Sequence, residues 1–66
     1  MTDTANSNGK AEVQYMMDHL DGFARNLGLN KSATRQIVEN VLVDMPRCTL
    51  QQRLTEARAR MIVASA

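Results

Sequence analysis

Aromatic residues are nearly missing from this chain. Tyr15 and Phe23 are the only two, and there is no tryptophan. A core must therefore be built from aliphatic side chains and methionine, which packs adaptably but specifies shape poorly. Cys48 is the only cysteine. That excludes a disulfide within the chain and a thiolate metal cage. His19 is the only histidine, and no Gly-rich phosphate loop or paired-carboxylate motif accompanies it. Catalysis needs groups that converge, so no catalytic residue, metal ligand or cofactor is assigned and an enzyme is not expected. Long apolar runs are missing too. Val41–Val43 and Met61–Ala64 are the longest, far too short to span a bilayer. The opening MTDTANSNGK lacks the basic-then-apolar layout of a signal peptide. The expected setting is a reducing cytoplasm with no membrane partner.

Charge is present in both signs but unevenly placed. Residues 1–24 hold Asp3, Glu12, Asp18 and Asp21 against Lys10. Residues 25–66 hold Lys31, Arg25, Arg35, Arg47, Arg53, Arg58 and Arg60 against Glu39, Asp44 and Glu56. The whole chain carries a net charge of +1. Such a basic half can guide an acidic partner or nucleic acid, or simply be a solvated face.

Sixty-six residues make one small domain. Domains of this size bury only about 60% of their unfolded surface, so association with a second copy is a common remedy. Residues 1–9 are polar after Met1 and read as a disordered tail, leaving one helical domain over 10–66. The first helix is expected over about 10–27. Val13, Met16, Met17, Leu20, Phe23, Ala24 and Leu27 recur at spacings of three and four. Gly22 interrupts this pattern at a cost of about 1 kcal/mol relative to alanine, as a kink, a close contact or a break. Gly28 is placed to end the helix in a left-handed conformation, with Leu29 folding back over it.

A second helix is expected over 31–45, capped by Asn30 or Ser32 and stopped before Pro46. Its apolar positions are Ala33, Ile37, Val38, Val41, Leu42 and Met45, with Val43 off that face. A third is expected over 50–64. Thr49 and Gln52 have the spacing of a capping box. Leu50, Leu54, Ala57, Met61 and Ala64 form its stripe, while Arg53, Glu56 and Arg60 can pair along the outside. No segment alternates as a strand would. The fold class is all-α, with three amphipathic helices packed as a homodimer.

Ala24 is followed four residues later by Gly28. Leu27 and Leu29 flank that glycine, and Ile37 or Val38 follows nine or ten positions on. Over residues 23–38 this resembles the helix-turn-helix family of DNA-binding proteins, which usually has a β-branched apolar residue where Thr34 stands. The resemblance implies that Lys31, Ser32, Thr34, Arg35 and Gln36 face the major groove. Against this, DNA affinity comes largely from neutralised phosphates, and the net charge is small.

Two functions are therefore expected from the sequence. The first is a small non-catalytic regulator that binds a larger protein, similar in size and composition to the inhibitors, anti-activators and adaptors of bacteria and phages. Its contact residues are Tyr15, His19, Val43, Ile62 and Val63, which fall off the apolar stripes. The second is a dimeric transcriptional regulator that reads DNA with Lys31–Gln36.

Overall fold

The computed structural model describes residues 2–66, with side chains described from Ala11 onward. Three helices follow in order: α1 (Thr2–Leu27), α2 (Lys31–Asp44) and α3 (Leu50–Ser65). The tail expected over residues 1–9 lies outside the residues whose side chains are described. The backbone of α1 is helical from Thr2, ahead of the start that the apolar stripe marks. Gly22 does not break the helix. Each helix packs against both of the others.

The stripes read from the sequence form the core. Met16, Leu20 and Ala24 of α1 are buried with Val38 and Val41 of α2 and Leu54, Ala57 and Met61 of α3. Burying one such large side chain stabilises a fold by about 1.5–3 kcal/mol. Val13, Met17, Phe23, Leu27, Leu29, Ile37, Leu42, Met45 and Leu50 close the edges of this cluster.

Local signals fix where each helix stops and starts. Gly28 takes φ +79, a left-handed conformation that costs glycine little. Its amide donates to the Arg25 carbonyl at 3.1 Å, and the Leu29 amide donates to the Ala24 carbonyl at 2.9 Å. Together these bonds make a Schellman cap, which satisfies carbonyls the helix end would leave bare. Asn30 then caps α2 by accepting from the Ala33 amide at 2.8 Å. Thr49 and Gln52 close the expected capping box at the start of α3, with bonds of 2.9 and 3.1 Å.

Three positions differ from the sequence expectation. Ala64 was expected on the buried stripe of α3 but is exposed, as are Ile62, Val63, Ser65 and Ala66. The helix continues beyond Met61 where the core has ended. Thr34, which the helix-turn-helix resemblance set toward the DNA major groove, is buried at 2% exposure. Its hydroxyl donates to the Asn30 carbonyl at 3.0 Å, so the methyl packs inside without an orphaned polar group. Arg53 was expected to pair along the outside of α3. It turns instead toward the α2–α3 turn and donates to the Met45 carbonyl at 2.9 Å and the Pro46 carbonyl at 2.7 Å. It also forms an ion pair with Glu12 of α1.

Candidate functional site

The five residues expected to touch a protein partner are all exposed, and they lie on all three helices. Tyr15 and His19 are one turn apart on α1. Their ring centroids are 4.6 Å apart and tilted by 33°. The Tyr15 hydroxyl lies 3.4 Å from His19 Nε2. Tyr15 is 46% exposed, so the pair presents apolar ring area with polar tips. Val43 projects from the outer side of α2 at 77% exposure, along the strip that also carries Gln36 and Asn40.

Ile62 and Val63 are 53% and 76% exposed. Ala59 and Ala66 are exposed as well. Ala59, Ile62 and Val63 stand at i, i+3 and i+4, so they share one side of α3, and Ala66 follows as its C-cap. The sequence reading missed this strip as a unit, because it treated Ile62 and Val63 as strays from the buried stripe. The signal was the same helical spacing, read on the opposite side.

Beside that strip lies an ionic cluster. Arg60 bonds to Glu56 and to Asp44 of α2, each at 2.9 Å. Hydrogen bonds to Glu56, then to Asp44, raise the Arg60 pKa above its ordinary value. The guanidinium ties the end of α2 to α3.

The residues expected to face DNA divide. Lys31, Ser32, Arg35 and Gln36 are exposed around the first turns of α2, while Thr34 is in the core. A groove of about 330 Å³ runs between this part of α2 and α1. Lys31 and Arg35 line it on one side and Asp18, Asp21 and Arg25 on the other. Arg35 pairs with Glu39 at 3.4 Å, and Arg25 pairs with Asp21 at 2.9 Å. An approaching phosphate would meet carboxylates as well as cations.

Cys48 is half-buried in the α2–α3 turn with its thiol free. Among the described residues no group of three or more His, Cys, Asp or Glu is placed to hold a metal ion. No helix among them is long and apolar enough to cross a membrane. The chain matches no protein-family model, no curated protein and no solved structure.

Proposed function

We propose that this protein is a small non-catalytic regulator that works by binding a larger protein in a reducing cytoplasm. The carrying observation is the outer side of α3, where Ala59, Ile62 and Val63 form an exposed apolar strip continued by the cap residue Ala66. Helix-in-groove recognition uses anchors at i, i+3, i+4 and i+7. The strip is narrow and formed by small or β-branched residues, so it suits a shallow apolar groove. Arg60, held by Glu56 and Asp44, sits one turn before Val63 and gives the strip a polar rim.

A second reading, a DNA-binding regulator, has one observation in its favour. Thr34 is buried where the helix-turn-helix pattern has a β-branched core residue, so that departure from the pattern disappears on folding. The groove carboxylates and the paired arginines weigh against it.

The two readings separate in an affinity capture from native lysate, with and without nuclease. Val63→Asp places a charge in the α3 strip, and Arg35→Ala removes a base-reading candidate. Under the first reading, a captured protein survives nuclease and its affinity falls at least about tenfold with Val63→Asp. Recovery of DNA fragments that is lost with Arg35→Ala supports the second instead. Capture indifferent to Val63→Asp removes α3 as the docking element.

A further inference from the structure

The last two turns of α1 contain a glycine for which the single chain gives no reason. Gly22 lies in continuous helix, and a Cβ built there meets nothing within 4 Å. It costs about 1 kcal/mol relative to alanine, with no turn or close contact within the chain to require it. The side of α1 that carries it faces away from the core. Asp18, one turn before Gly22, and Arg25, about one turn after it, are both exposed, at the edge where that side borders the α1–α2 groove. Spacings of four and three place all three residues along one line.

We infer that this side of α1 pairs with the same side of a second copy, antiparallel, with the two helices crossing at Gly22. The charges dictate the direction. About a two-fold axis at Gly22, Asp18 of each copy faces Arg25 of the other, giving two reciprocal ion pairs. A parallel pair would set Asp18 against Asp18 and Arg25 against Arg25. An isologous interface requires such self-complementarity. Glycine at the crossing lets the backbones approach closely, since interaxial distance follows the side chains at the contact. The intrachain Asp21–Arg25 bridge does not hold Arg25 back. Its side chains are 45% and 78% exposed, and bridges of that kind are weak. Tyr15 lies on the same side two turns before Gly22, with its ring against that of His19. This pairing is independent of the α3 strip and leaves that strip open.

Sedimentation equilibrium on the full chain, at concentrations up to about 1 mM, tests it. The wild type should dimerise. Asp18→Arg and Arg25→Glu should each raise the dimer dissociation constant by about tenfold or more, and the double variant should restore it to within about threefold. Gly22→Leu should abolish the dimer while helicity and melting temperature of the monomer hold or rise, since leucine is the better helix former. A monomeric wild type overturns the inference. So does a dimer that tolerates Gly22→Leu, or one in which the double variant is no better than either single change.

Discussion

Leu20→Ala is expected to remove about half of the folding free energy of this domain. Leu20 is fully buried in the C-terminal half of α1, in the same cluster as Val38, Val41, Ala57 and Met61. It therefore belongs to the layer where all three helices meet. Truncating such a leucine costs about 2–5 kcal/mol, from lost transfer energy plus the cavity left behind. A domain of this length holds about 3–10 kcal/mol in total. The core holds no fully buried aromatic, so it has few large side chains with which to refill the gap. Urea titration followed by circular dichroism, at one fixed protein concentration, reads the loss directly. Val43→Ala is the matched control. At 77% exposure it should move stability by less than about 0.5 kcal/mol. A loss below about 1 kcal/mol for Leu20→Ala would mean that the α1 stripe does not form the core.

The expected result rests on a core that was legible in the sequence, and the reasons are local. Met16, Leu20 and Ala24 repeat at helical spacing without competition from polar residues at those positions. Gly28, Asn30 and the Thr49–Gln52 box each satisfy a backbone group within three to five residues of themselves. Signals of that range need no knowledge of the tertiary arrangement. Thr34 was misread because its hydroxyl marks it as polar in any pattern of hydropathy. On a helix that hydroxyl can bond the carbonyl four residues back, and the residue then packs much as valine would. Ala64 was misread for the opposite reason. Periodicity continues along α3 after the neighbouring helices have stopped covering it, and nothing in the repeat marks that point.

The candidate surfaces were legible only as single residues. Tyr15, His19, Val43, Ile62 and Val63 could be recognised as off-stripe. Their spacing along each helix was there to be read, but which side of each helix the others leave uncovered was not. Once α1 and α2 are fixed against α3, Ile62 and Val63 join Ala59 and Ala66. In the same way Asp18, Gly22 and Arg25 become one outward line.

Arg53→Ala is expected to cost about 2–4 kcal/mol, the largest effect of any charged residue whose partners are described. Its origin lies in the end of α2. Pro46 stops the helix, so neither the Met45 nor the Pro46 carbonyl has a donor within α2, and the Met45 carbonyl takes only a long bond, 3.4 Å, from the Cys48 amide. The Arg53 side chain is 12% exposed and places Nε on one carbonyl and a terminal nitrogen on the other. Its remaining terminal nitrogen reaches Glu12 of α1. One planar fork thus joins α1, the α2–α3 turn and α3, which a point charge cannot do. Arg53→Lys should therefore recover only part of the loss, about half, although it keeps the charge. Glu12→Gln should cost about 1 kcal/mol or less, because its carboxylate is partly solvated and both turn carbonyls keep their donor. The order to be measured by urea denaturation is Arg53→Ala, then Arg53→Lys, then Glu12→Gln. If Glu12→Gln proved as damaging as Arg53→Ala, the ion pair to α1 would be the dominant contact. The turn carbonyls would then contribute little, and Arg53→Lys, which can still form a salt bridge, should be close to wild type.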